Sequence, residues 1–255
     1  EFDKLSNQIC TVGLGIPGFS SKESGLVTNA NSMWLNDKPF KKDLEIALNR
    51  KVKLMNDANC FTLSEAVDGA GKDYQSIFGI IVGTGFGGAL SYKKEIIEGA
   101  NQIAGDWGHQ PLPYPTKEEI ETKINCPSMN CGRPLCAEQF MSGIGFKDVF
   151  NQKHKTSFTS EEIVKLDLDG DPRANSELSL YEDRMARLLA VMIGIFDPDA
   201  IILGGGMSNI DRFYVNIPTL IPKYTFSNKV KTKVLKNFHG DSSGVRGAAW
   251  LWNNV

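Results

Sequence analysis

The stretch from Ser76 to Gly88 reads SIFGIIVGTGFGG, a continuous apolar run as far as Val82 followed by a glycine-rich turn. A short apolar run bounded by glycines reads as a strand buried on both faces. Glycines there let backbone N–H groups approach an anionic oxygen, and Thr84 offers a hydroxyl to the same oxygen. No Gly-Lys-Ser/Thr follows and no helix is expected directly after it, so the turn is not a Walker loop. A hairpin bend would look the same, so this turn alone does not establish phosphate binding.

A second turn of the same kind, Gly204-Gly205-Gly206-Met207-Ser208, follows the apolar run Ala200 to Leu203. The segment before it carries Leu178, Tyr181, Met185, Leu188, Leu189 and Met192 at helical spacing, a core stripe that Asp197-Pro198-Asp199 ends. Two glycine turns, each closing a buried strand, suggest a nucleotide held between them. Toward the N-terminus, Ile9 to Ile16 and Val52 to Met55 read as further strands. Asn56-Asp57-Ala58-Asn59 then opens a helix, with Asp57 either its cap or a catalytic carboxylate at a strand's C-terminal end. Strands alternating with helices make this an α/β chain.

Between Gly105 and Glu138 one histidine is followed by three of the five cysteines. His109, Cys126, Cys131 and Cys136 are the ligand types of a tetrahedral zinc site, and four protein ligands would make that zinc structural. An odd cysteine count and no signal-like apolar N-terminus favour a reducing, cytoplasmic setting over a disulfide framework. A net charge of −2 offers no electrostatic footprint for nucleic acid, and no apolar run is long enough for a membrane span. With 41% apolar residues the chain can bury a large core.

The ordered set GIPG (Gly15 to Gly18), NDAN (Asn56 to Asn59), GTGFGG (Gly83 to Gly88), GDWGH (Gly105 to His109), CGxxxCxE (Cys131 to Glu138), DPDxIxLGGGMS (Asp197 to Ser208) and GDSSGVRGAAWLW (Gly240 to Trp252) resembles the ROK family of sugar kinases. NANSMWLNDKPF (Asn29 to Phe40) and the near-terminal run are most similar to the family's bacterial fructokinases. The resemblance implies a two-domain actin-like, ribonuclease H-like ATPase fold. The small domain would hold residues 1–74 plus 243–255, and the large domain residues 75–242.

It further implies ATP-dependent phosphorylation of a hexose, with fructose to fructose 6-phosphate as the main expectation and N-acetylglucosamine or another hexose as the alternative. Asp57 matches the general base. Asn56, Asp106, His109 and Glu138 match sugar-hydroxyl ligands, and Asn31 is a further candidate. Gly83, Thr84 and Gly85 match the phosphate turn, while Gly205, Gly206 and Ser208 match the adenosine side. His109 would meet the sugar with one ring nitrogen and zinc with the other, so metal loss should weaken sugar binding. The implied ligands are ATP, Mg2+, a structural Zn2+ and the hexose, and a homodimer is the expected assembly.

Three departures from the family pattern stand out. Asp106 replaces the usual glutamate, one methylene longer. In place of CxCGxxGCxE, Met129 occupies the first cysteine position and Leu135 a glycine position, so Cys126 is expected to reach in from a C-x4-C spacing, a thioether being a poor zinc ligand. The chain starts at Glu1-Phe2-Asp3-Lys4 without the family's Asp-x-Gly-Gly-Thr-Lys phosphate turn. The small domain is therefore expected to lack its first strands, and kinase activity to be weak or lost if that segment is absent from the molecule. Two readings from other classes follow: a sugar-responsive transcriptional regulator, and a catalytically silent sugar-binding remnant. Elsewhere, His154 is expected in a solvated loop, His239 ahead of a capping run for the last helix, Arg246 paired with a carboxylate, and Trp107 in packing.

Overall fold

The computed structural model describes residues 9–30, 32–122, 124–128 and 131–252. In chain order the strands are β1 (Val12–Ile16), β2 (Phe19–Ser20), β3 (Val27–Thr28), β4 (Val52–Asn56), β5 (Ser76–Val82), β6 (Phe86–Tyr92), β7 (Glu95–Ile97), β8 (Ala200–Gly204) and β9 (Lys233–Lys236). The helices are α1 (Phe40–Leu48), α2 (Asp57–Val67), α3 (Lys117–Ile120), α4 (Ala137–Met141), α5 (Gly143–His154), α6 (Ser160–Leu168), α7 (Pro172–Phe196), α8 (Arg212–Leu220) and α9 (Ser243–Trp250).

The apolar run at residues 76–82 is the centre of a mixed sheet of order β7-β6-β5-β8-β9. It pairs antiparallel with β6 and parallel with β8, and β8 pairs parallel with β9. Because side chains alternate across a strand, the two faces of β5 enter two cores. Phe78, Ile80 and Val82 join Leu178, Tyr181 and Met185 of α7 together with Phe140 and Phe146. Ile77 joins Ile202, Phe61 and Ala66 on the opposite face.

That opposite face is covered by α2, and glycines set how close it comes. A Cβ on Gly79 would stand 2.0 Å from Thr62 Oγ1, and one on Gly204 would stand 2.4 Å from the Phe61 ring. The last helix is pressed as closely on α2, since a Cβ on Gly247 would fall 1.7 Å from the Cys60 carbonyl oxygen. The expected N-terminal strands pair in parallel, β1 with β4, in a register that sets Ile16 beside Asn56. Ile16, Val27, Ala30 and Leu35 form a small core beside them. Among the described residues no helix is long and apolar enough to cross a membrane.

Two local expectations need correction. His154 is not in a loop but closes α5, with its ring 4.6 Å from Phe150. The run after His239 supplies no side-chain cap to α9, because Ser242 lies inside a tight turn with its hydroxyl unused as a cap. Instead Ser243 donates to Glu65 Oε1 at 2.7 Å and the His239 ring meets Asp68 at 2.9 Å. Arg246 pairs with Asp68, the carboxylate partner expected for it.

Candidate active site

Where β4 ends, α2 begins, and the cap of that helix is Asn56. Its Oδ1 accepts from the N–H groups of Ala58 at 3.0 Å and Asn59 at 3.3 Å, while its Nδ2 donates to the Gly18 carbonyl at 3.4 Å. The cap role weighed for Asp57 is therefore taken by its neighbour, and Asp57 is the first helical residue. Its Oδ1 accepts from Ala58 N–H at 2.8 Å. The residue is exposed, yet it stands in a recess where loss of solvation raises its pKa above the ordinary 3.8. The neighbouring charge of Asp106 pushes the same way. The result is an accessible carboxylate of increased basicity. Cys60, one turn along, is no competing nucleophile, because burial pushes its thiol up to about 12.

The segment Gly105 to His109 lies flat on β6. A Cβ on Gly108 would sit 1.7 Å from the Phe86 carbonyl oxygen, and one on Gly105, at φ 88°, would meet Ala89 at 2.7 Å. Trp107 packs inward against Phe78 and Phe86 at ring distances of 4.8 and 5.1 Å, as expected of it. Asp106 is left exposed and His109 half-buried. Loss of solvation, with a contribution from Glu138, raises the Asp106 pKa as well.

One ligand atom from each of His109, Cys126, Cys131 and Cys136 lies within 4.8 Å of the others. Cys136 Sγ is 3.5 Å from His109 Nδ1 and 3.5 Å from Cys131 Sγ, and Cys126 Sγ is 4.0 Å from the same ring nitrogen. Tetrahedral zinc with bonds of about 2.0–2.3 Å spaces its ligands roughly 3.5–3.8 Å apart, so the donor set fits the metal. Cys126 thus reaches the cluster from its displaced position, while Met129 lies outside the described residues. Leu135, in the family's glycine position, adopts φ 54°, a left-handed conformation that costs about 1–2 kcal/mol.

Glu138, 4% exposed, stands between this cluster and the first glycine turn. Its Oε2 accepts from Phe86 N–H at 3.0 Å, and its Oε1 accepts from Ser128 Oγ at 2.6 Å. Gly85 passes so close that a Cβ there would be 3.2 Å from Oε2. Ser128 has no motif to reveal it, and only the fold brings it to Glu138. The Gly83–Gly85 turn is indeed a hairpin link, closed by Gly83 N–H to the Gly85 carbonyl at 3.0 Å, with Thr84 exposed at its tip.

The parallel pairing of β5 and β8 sets Ile81 beside Gly204, so the second turn leaves the sheet next to the first. Gly205, at φ 80°, approaches until a Cβ would lie 2.5 Å from the Val82 carbonyl oxygen, whereas Gly206 faces open space. Ser208 is buried and spends its hydroxyl on its own turn, donating to the Gly205 carbonyl at 2.6 Å and accepting from Asn237 at 3.0 Å. The structure therefore sets Glu138 against the zinc-type cluster that His109 belongs to, places Asp106 within electrostatic reach of both and of Asp57, and sets the two glycine turns together. Asn31 lies outside the described residues.

This architecture is the actin-like, ribonuclease H-like ATPase fold of sugar kinases. A ROK hexokinase from Thermus thermophilus shares it at a TM-score of 0.81 with 24% identity, over 97% of this chain and 80% of that one. So does a ROK family glucokinase from Streptomyces griseus in complex with glucose and AMPPNP, at 0.80 and 23%, over 96% and 82%. The chain belongs to the ROK family, whose sequence description matches residues 1–255.

An N-acetyl-D-glucosamine kinase of Vibrio cholerae is 38% identical over 241 residues, 94% of this chain and 80% of that protein. The enzyme of the same name from Haemophilus influenzae is 35% identical over 252 residues, 98% and 83%. Membership of this family supports the sugar-kinase class read from the motifs. The more specific expectation, fructose, is not supported, because these relatives are named for a different sugar.

Proposed function

We propose that this protein transfers the γ-phosphoryl group of MgATP to the primary hydroxyl of a hexose, and that the hexose is N-acetyl-D-glucosamine. The observation that carries the kinase reading is Asp57, an accessible carboxylate made more basic by its recess and held at the N-terminus of α2. It would take the proton of the attacking hydroxyl. Such a base contributes about 10²–10⁴-fold when held within hydrogen-bond reach. Asn56 Nδ2, Asp106, His109 and Glu138 would hold the sugar's other hydroxyls.

Gly83, Thr84 and Gly85 would face the phosphates, and Gly205, Gly206 and Ser208 would border the adenosine. The Ser208 side chain shapes its turn and leaves ATP to the backbone. His109, Cys126, Cys131 and Cys136 would hold a zinc ion whose task is to fix this wall of the site. The sugar would lie in a cleft between a small lobe, residues 1–74 with 243–255, and a large lobe, residues 75–242. A homodimer completes the reading, to be checked by light scattering.

The choice of sugar rests on the names of relatives at 35–38% identity. The test is ADP release from the full-length protein with N-acetylglucosamine, fructose, mannose and glucose in parallel. The expected result is the highest kcat/KM for N-acetylglucosamine. A clear preference for fructose would overturn the sugar, and no transfer to any of the four would overturn the kinase reading.

A further inference from the structure

We propose that Ser128 is a positioning residue for Glu138, so that the displaced cysteine spacing of this chain fixes a sugar contact as well as a metal ligand. The proposal rests on the kinase reading above, in which Glu138 faces the sugar. Glu138 is an almost fully buried carboxylate, and a buried charge needs donors on both oxygens to hold one orientation. Oε2 has the Phe86 N–H, which belongs to the sheet and is present whatever the metal loop does.

Among the described residues Oε1 has two hydrogen-bonding neighbours, both from the metal loop: Ser128 Oγ at 2.6 Å and Cys126 Sγ at 3.6 Å. These two donors are not equivalent. Among the described residues the Ser128 hydroxyl is the closer and stronger donor to Oε1, at 2.6 Å against 3.6 Å for a thiol, which donates only weakly. Ser128 is carried there because Cys126 and Cys131 are separated by four residues, which lets the chain lay a serine over Glu138 between two ligands. Zinc therefore reaches the sugar site by two routes, the His109 ring and the Cys126–Ser128 stretch.

The experiment compares the zinc-loaded wild type with Ser128→Ala and Ser128→Thr, reading zinc content, melting temperature, sugar Kd by calorimetry, and KM against kcat. The expected result for Ser128→Ala is full zinc content, an unchanged kcat, a melting temperature lowered by about a few degrees for the donor lost from a buried carboxylate, and about a tenfold rise in sugar Kd and KM. That is the scale of one lost hydrogen bond to a charged group. Ser128→Thr, which keeps the hydroxyl, should restore affinity to within about twofold. A Ser128→Ala protein that binds sugar as tightly as wild type overturns this proposal alone. So does a loss of affinity that tracks lost zinc, or one that Ser128→Thr fails to rescue. A wild type that binds no hexose overturns the kinase reading and this proposal with it.

Discussion

Replacing Asp57 by Asn tests the site where structure and chemistry are most tightly joined. The substitution is nearly isosteric and leaves the helix cap in place, because the cap bonds to Ala58 and Asn59 belong to Asn56. The amide oxygen can still accept from Ala58 N–H, as Asp57 Oδ1 does at 2.8 Å. What disappears is the ability to take a proton. A loss of 10²–10⁴-fold in kcat corresponds to about 2.7–5.4 kcal/mol at 1.36 kcal/mol per decade.

Stability should move the other way. The folded-state pKa of Asp57 is raised above 3.8, so its protonated form is the one folding favours. That stabilisation is complete below the unfolded pKa and is lost as pH rises through the folded value, leaving a cost at neutral pH. Asn carries no such cost, so the variant should melt at or above the wild-type temperature at pH 7 and show less loss of stability between pH 4 and 7. In the wild type, kcat/KM should fall on the acid side at a higher pH than an ordinary carboxylate would give. The assay pairs ADP-release kinetics over pH 4.5–8 with calorimetric melting. A variant within tenfold of wild type in kcat, folded to the same extent, would refute the role of Asp57 as base.

Removing zinc with a chelator should lower the melting temperature and raise sugar Kd together, with both restored by added Zn2+; metal analysis finding no zinc in the purified protein would remove the basis for this. Glu65→Ala should cost about 3 kcal/mol or more in urea unfolding. Its carboxylate accepts from the N–H groups of Ala70, Phe238 and His239 and from the Ser243 hydroxyl, and each donor orphaned in the interior costs about 1–3 kcal/mol. Gly79→Ala should destabilise by about 1–3 kcal/mol, because its Cβ would lie 2.0 Å from Thr62 Oγ1, and adding Thr62→Ala should recover part of that loss. Additive losses in the double variant would show that the two sites are not in contact.

Much of the architecture was legible because it is written in local signals. The run at residues 76–82 is apolar on both faces because both faces are covered, and glycines mark where its turn begins. The cysteines and His109 advertised a metal by type alone. Asp57 was visible as a carboxylate at a strand–helix junction, but its role was not, since capping and catalysis ask for the same residue type there. In the folded chain the cap is Asn56, which leaves the Asp57 carboxylate accessible. The run around His154 is polar in sequence, and such a run looks alike in a loop and on the last turn of a helix whose apolar side, Phe146 and Phe150, is buried.

The amino-acid sequence by itself determined the strands β1, β4, β5 and β8, the helices α2, α7 and α9, the glycine turns, the metal-ligand types and the family, since each depends on residue identity and short-range spacing. Only the tertiary structure decided which groups meet. The parallel register of β5 and β8 sets Ile81 beside Gly204, 123 residues further along the chain, and so brings the two turns together. The fold of the metal loop sets Ser128 on Glu138, and helix α9 returns from the far end of the chain to lock against α2. Contacts between distant residues depend on backbone paths through space, and no local pattern of side chains encodes those paths.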